Sequence, residues 1–314
     1  MMELTVNEKL ERRNLSRLGF AYLVLLAVIQ IGTSGLVLVF YRIFPRMGME
    51  GVFAIQFTVV YGVGIPLAAF VARKVPALPR PPVDFSFQKV FVLFMVCYFL
   101  GWLTALASNG IISFLSSISP NGFYLGSAAE YLSPKEPVFN VLVVAAMVVA
   151  APILEEWFFR KILISRLLRY GQLFAVVVSA LMFGLYHGNM MQLIPALALG
   201  IALGYIYTRT GNIADTIVIH ILNNAVSVFY SLFAAAGVFW AAALVSLASF
   251  AFVIAGCVLF FKNRKAIRLS WRLLVLPERG WSKIAVLNAG VLCSFIFAIA
   301  LVIFSSIAAM GLVY

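Results

Sequence analysis

Nine stretches of this 314-residue chain run apolar for long enough, or nearly so, to cross a lipid bilayer. They are residues 18–40, 51–72, 90–114, 138–154, 172–187, 190–208, 213–235, 238–261 and 284–314. A span needs roughly 20 residues. Lipid offers no partner to backbone N–H and C=O groups, so a spanning segment is a helix or a strand of a closed barrel. Continuous apolar runs of this length point to helices. Sixty-four per cent of the residues are apolar and 11% charged, whereas a soluble domain is about half apolar and about a quarter charged. Soluble enzymes, disordered chains and disulfide-stapled secreted domains are excluded. The expected fold is all-α: a polytopic transmembrane bundle of eight or nine helices, forming one integral membrane domain over 1–314. The first apolar run shows no small-residue cleavage site after it and reads as a retained helix.

Charge sets the orientation. With the N-terminus in the cytoplasm, the inside segments carry 20 Lys and Arg residues and the outside keeps Arg42, Arg46 and Lys135. That bias follows the positive-inside rule. It also accounts for the net charge of +12 without nucleic acid; the partner it implies is the lipid bilayer. Residues 76–84 (PALPRPPVD) form a stiff inside connector. An outside loop is expected at 116–137. Residues 262–283 are basic, carry Trp271 and Trp281, and read as an interfacial segment on the inner leaflet. Cys97, Cys257 and Cys293 lie in apolar runs and form neither a CxxC pair nor a disulfide framework.

Ionisable groups at membrane depth are costly and mark function. Of the eleven acids, only Glu155, Glu156 and Asp215 fall in apolar surroundings, and the two histidines, His187 and His220, both lie in apolar runs. Glu156 and Arg160 are one helical turn apart and can pair. Glu155 is turned by about 100° from Glu156 on the 3.6-residue period and can point elsewhere. If the fourth helix continues to a turn at Gly171, Glu155 lies 16 residues before that turn and His187 lies 16 after it. The two then face each other at one height in an antiparallel hairpin, roughly 24 Å from its tip. His220 and Asn224 share a helix face; a lone pair of this kind is more often helix–helix glue than catalysis. Asp215 sits in a first turn, where the helix dipole favours an acid.

Rival motifs are weak. There is no HExxH zinc signature. Gly32-Thr-Ser34-Gly35 matches the short GxSG string of serine intramembrane proteases, but small residues of this kind also arise from helix packing. Gly200 and Gly204 form a GxxxG pair suited to close helix contact.

The three strings Glu155-Glu156-xxx-Arg160, Phe183-xxx-His187 and His220-xxx-Asn224 resemble the EExxxR, FxxxH and HxxxN motifs of the CPBP intramembrane proteases. These are the CAAX proteases and bacteriocin-processing enzymes, related to the Ras-converting CAAX endopeptidase. The resemblance covers 138–235, the expected catalytic core. It implies an intramembrane endopeptidase acting on a membrane-associated or lipidated peptide or protein. Glu155 and His187 would hold and activate a water. His220 and Asn224 would stabilise the oxyanion, with Glu156 and Arg160 in support. The family was first called a metalloprotease group, and Glu155, His187 and His220 could supply three zinc ligands. The metal-free reading is preferred, because zinc would take Glu155 and leave as separate carboxylate base only Glu156, which is better placed for Arg160. The resemblance further implies a site open toward the cytosol, and a prokaryotic member would reside in the plasma membrane. Two other readings stand beside it. One is a proton-coupled transporter using the intramembrane Glu and His residues. The other is a non-catalytic membrane partner or immunity factor.

Overall fold

The computed structural model describes residues 2–78, 80–119, 131–132, 136–272, 274, 284 and 288–309. Among these residues there are no strands, and nine long helices form the bundle. They are α1 (Glu8–Ile43), α2 (Met49–Ala72), α3 (Phe87–Ile118), α4 (Pro137–Tyr170), α5 (Gln172–Tyr186), α6 (Met190–Thr210), α7 (Ile213–Ala235), α8 (Phe239–Arg272) and α9 (Ala289–Ala309). All but α5 are long and apolar enough to span a membrane. The protein is an all-α polytopic bundle.

The fourth apolar run does not stop at its charged residues. It continues through Glu155 and Arg160 to Tyr170, and Gly171 at φ +107° reverses the chain. A backbone angle of that kind favours glycine, which has no Cβ to clash. The hairpin of α4 and α5 expected from the sequence is therefore formed. Gly211 (φ +63°) ends α6, and Asn212 caps α7 by accepting from the Ala214 N–H. Within the hairpin region α5 packs along α6 and against α4, α6 also packs on α3, and α7 crosses α4. Outside it, α1 is clasped between α2 and α9, and α8 runs along α3.

Several helices contain π turns: Val28–Gly32 in α1, Thr58–Gly64 in α2, and Ala145–Ala150 and Trp157–Ile164 in α4. A π turn inserts a residue into the helical ladder, is rare, and recurs at functional sites. In α4 the two π turns bracket Ala151–Glu156, the segment holding Pro152 and both glutamates. The first also absorbs Pro152, which has no N–H to give.

One end of the bundle is laced shut. The proline-rich connector lies across the ends of α4 and α6, with Leu78 N–H donating to Ser165 O (2.6 Å) and Val83 N–H to Thr210 O (2.7 Å). Arg80 donates to Thr208 O (2.7 Å) and Arg166 to Ala72 O (2.9 Å). Glu11 is buried; it accepts from Tyr170 Oη (2.6 Å) and pairs with Arg169 (3.2 Å). Asn288 donates to Arg12 O, tying α9 to the same end. Lys262–Arg272 continue α8 as helix, and Trp271 stacks on Tyr205 of α6 at 4.8 Å between ring centroids. The remainder of the basic segment, Trp281 included, lies outside the described residues except for Leu274, as does most of the 116–137 loop.

Glycine sets the closest helix crossings. A Cβ on Gly200 would lie 3.1 Å from Ala180 Cα of α5, so the GxxxG pair does bring helices together. At the crossing of α1 and α9, a Cβ on Gly290 would run into the Ser16 backbone. Overpacking of this kind costs about 1–3 kcal/mol or more. Gly290→Val is expected to lower the thermal unfolding midpoint in detergent by several degrees. Gly35→Ala, where nothing lies within 4 Å, is expected to leave it unchanged.

Candidate active site

The fully buried Arg160–Glu156 pair is the base of the site. Arg160 Nε donates to Glu156 Oε2 at 2.9 Å, and Arg160 Nη1 donates to Ser179 Oγ on α5 at 3.2 Å. Ser179 in turn donates to Phe159 O at 3.0 Å. The i,i+4 pairing expected from the sequence is present. Glu156 has a further partner that spacing along one helix could not reveal: its Oε1 accepts from His220 Nδ1 of α7 at 3.0 Å. One buried carboxylate therefore joins α4, α7 and, through Arg160, α5.

Glu155 points elsewhere, as its helical phase requires. Its Oε1 accepts from Tyr61 Oη at 2.6 Å, and its Oε2 lies 3.8 Å from His220 Nε2. Tyr61 went unnoticed in the sequence because it sits 94 positions from Glu155 in a run otherwise read as a plain span. Its position in the π turn of α2 is the structural feature that marks it.

His187 stands at the C-terminus of α5. Its Nδ1 bonds to Phe183 O at 2.9 Å. A carbonyl oxygen only accepts, so Nδ1 carries the proton and Nε2 of the neutral ring is left as an acceptor. The Phe183 ring packs edge-on against both imidazoles, at 5.0 Å from His187 and 5.7 Å from His220. Asn224 donates its amide to Met147 O (3.0 Å) in the first π turn of α4. An amide group has a second N–H to offer.

Glu155, His187, His220 and Asn224 all line one cavity of about 620 Å³. Tyr61, Tyr98 and Trp102 give it an aromatic wall, and Gln192, Asn223 and Ser227 give it polar groups. Glu155 and His220 are buried at its floor. Asp215 lies in the first turn of α7, buried and outside the cavity lining. Ser34, the serine of the GxSG string, is exposed on α1 and does not line the cavity either.

Among the described residues no three His, Cys, Asp or Glu gather closely enough to hold a metal ion. Glu155 Oε1 is held by Tyr61, and each imidazole has Nδ1 committed to a protein oxygen. The cavity lies away from the end where the basic segments gather. Its lining lies in the other half of the bundle, because the connector and the hairpin tip close the basic end.

Comparison with known proteins agrees with the motif-bearing segment. Residues 137–226 match the family described as "Rce1-like: Type II CAAX prenyl endopeptidase Rce1-like". The Bacillus subtilis (strain 168) protein called "Putative membrane peptidase YdiL" is 30% identical over 135 residues, which are 42% of this chain and 54% of that protein. The chain thus matches about half the length of that relative. No solved structure matches the chain. Both findings support the CPBP family, and the family match covers the helices that carry Glu155, His187 and His220.

Removing one partner of a buried ion pair leaves the other charge uncompensated, at about 3–5 kcal/mol. Arg160→Ala is expected to cost stability in that range, read by thermal unfolding in detergent. In a double-mutant cycle with Glu156→Ala, the double variant is expected to lose less than the sum of the two single losses.

Proposed function

We propose that this protein is an intramembrane endopeptidase of the CAAX-protease type that hydrolyses a peptide bond in a membrane-associated polypeptide. The observation that carries the reading is the convergence of Glu155, two imidazoles and Asn224 on one partly water-excluding cavity. We further propose that the N-terminus and the basic end lie in the cytoplasm, on the 20-to-3 charge bias.

The chemistry runs as follows. Glu155 Oε2, opposite the oxygen fixed by Tyr61, accepts a proton from a water whose other hydrogen is held by His187 Nε2. The hydroxyl oxygen bonds to the substrate carbonyl carbon, and the carbonyl π electrons move to its oxygen. His220 Nε2–H and the free N–H of Asn224 donate to that oxyanion. For this His220 must carry both ring protons. Glu156 fixes the ring by accepting from Nδ1, as carboxylates do behind working histidines. The carbonyl reforms, the C–N bond breaks, and the proton held by Glu155 passes to the leaving amine. No step is routed through a metal.

This assignment makes Tyr61 a positioning residue, acting through the Glu155 carboxylate. A hydrogen bond to a charged group contributes about 1.5–3 kcal/mol, which corresponds to roughly a 10- to 150-fold rate effect. Glu155→Ala and His187→Ala are each expected to abolish cleavage while the protein still folds; Tyr61→Phe is expected to slow it within that range. Mass spectrometry of membrane peptides, comparing cells with wild-type and Glu155→Ala protein, identifies both the cleavage and what is cut. Peptide patterns that do not differ, or full activity in the Glu155→Ala protein, remove the proposal.

A further inference from the structure

The direction in which the cavity opens can be read by counting helical turns from the sealed end. Ala72, Leu78, Ser165 and Thr208 are held at one level by the connector's hydrogen bonds and the Arg166–Ala72 contact. From that level Glu155 is ten residues along α4 from Ser165, Tyr61 is eleven along α2 from Ala72, and Leu199 is nine along α6 from Thr208. At 1.5 Å per residue these floor residues stand roughly 13–17 Å above the sealed end. Met147, Gln56 and Gln192 also line the cavity and lie 18, 16 and 16 residues from the same references. They stand roughly 24–27 Å up, near the opposite face.

Exposure follows the same gradient. The floor residues Glu155 and His220 are buried, whereas Trp102, Gln192 and Ser227, farther up α3, α6 and α7, are exposed. Below the floor the interior is filled by Glu156, Arg160, Ser179 and Phe159, all fully buried. Beneath them Ser165 meets Tyr207 at 3.1 Å, and the connector covers both. The cavity is therefore a well with one closed end, and the closed end is the basic one.

The charges give the well a direction across the membrane. Its closed end carries Lys9, Arg12, Arg13 and Arg17 of α1, Arg73, Lys74 and Arg80 of the connector, and the Lys262–Arg272 stretch of α8. The described residues at the open end include Arg42 and Arg46 with Glu50 and Glu136. Dense Lys and Arg mark cytoplasmic ends. We infer that the site receives its polypeptide from the non-cytoplasmic half of the membrane. This rests on the peptidase reading for what enters, and on geometry and charge alone for the direction. The substrate class it selects is a polypeptide segment emerging on, or spanning to, the outer half of the bilayer. Its apolar side chains would lie against Tyr98 and Trp102, and its backbone would face Asn223 and Ser227. A peptide whose lipid anchor holds it in the cytoplasmic leaflet meets the laced end instead.

Cysteine labelling tests the direction. In a cysteine-free background (Cys97→Ser, Cys257→Ser, Cys293→Ser), single cysteines are placed by Gln192→Cys at the rim, Arg46→Cys at the same end off the cavity wall, and Arg73→Cys at the laced end. A membrane-impermeant maleimide is applied to right-side-out and to inverted membrane vesicles of producing cells. The expected result is labelling of the first two in right-side-out vesicles and of the third only in inverted ones. Labelling of the first two only in inverted vesicles, or equally from both faces, overturns the inference. Should Gln192→Cys not accumulate, Arg46→Cys decides alone. Adding Glu155→Ala to this background leaves the labelling pattern intact, so loss of the peptidase reading and loss of this inference are separate outcomes.

Discussion

The Glu156 carboxylate is the interaction on which the rest of the site depends. A carboxylate at membrane depth is expensive to bury alone, and this one is fully enclosed. Arg160 neutralises it along α4, and His220 Nδ1 donates to it from α7. Each of these groups has a second task. Arg160 reaches Ser179 on α5, and His220 turns its other nitrogen toward Glu155. The buried charge thereby sets the spacing of three helices and orients an imidazole at once. A hydrophobic core of the same volume would pack as well, but it would not orient that imidazole.

Helical phase turns the two adjacent glutamates toward different surroundings, and π turns flank the segment that carries them. Glu155 and Glu156 sit between π turns at Ala145–Ala150 and Trp157–Ile164. Widening the ladder on both sides loosens the carbonyls there, and Asn224 takes one of them, Met147 O. On α2 the π turn at Thr58–Gly64 carries Tyr61 to the Glu155 carboxylate. These three departures from α-helical geometry cost local stability and fall beside residues of the site, as expected where function, not packing, dictates backbone shape.

What the sequence made legible was whatever depends on short range or on composition. Apolar runs identified the spans. The i,i+4 rule identified Glu156–Arg160, and equal counts on either side of Gly171 brought Glu155 and His187 to one cavity. What it concealed was long range. Tyr61, Ser179 and the second bond of Glu156 each join residues from different helices, and no periodicity within one segment encodes which rotational face a neighbour presents. The partners of Glu11 were concealed for the same reason: the hairpin tip folds Tyr170 and Arg169 onto it.

Those tip contacts bear on access as well as on stability. Glu11, Tyr170 and Arg169 close one corner of the basic end, and Leu78, Arg80 and Val83 close the rest by spending their hydrogen bonds on the exposed ends of α4 and α6. Those helix ends have carbonyls that need partners, and the connector supplies them in place of water. Opening a path to Glu155 from this side would break four backbone-directed bonds and unpack the buried Arg160 layer. A path from the other side crosses only the exposed rim of Trp102, Gln192 and Ser227. The asymmetry in the cost of opening follows from that lacing at the basic end.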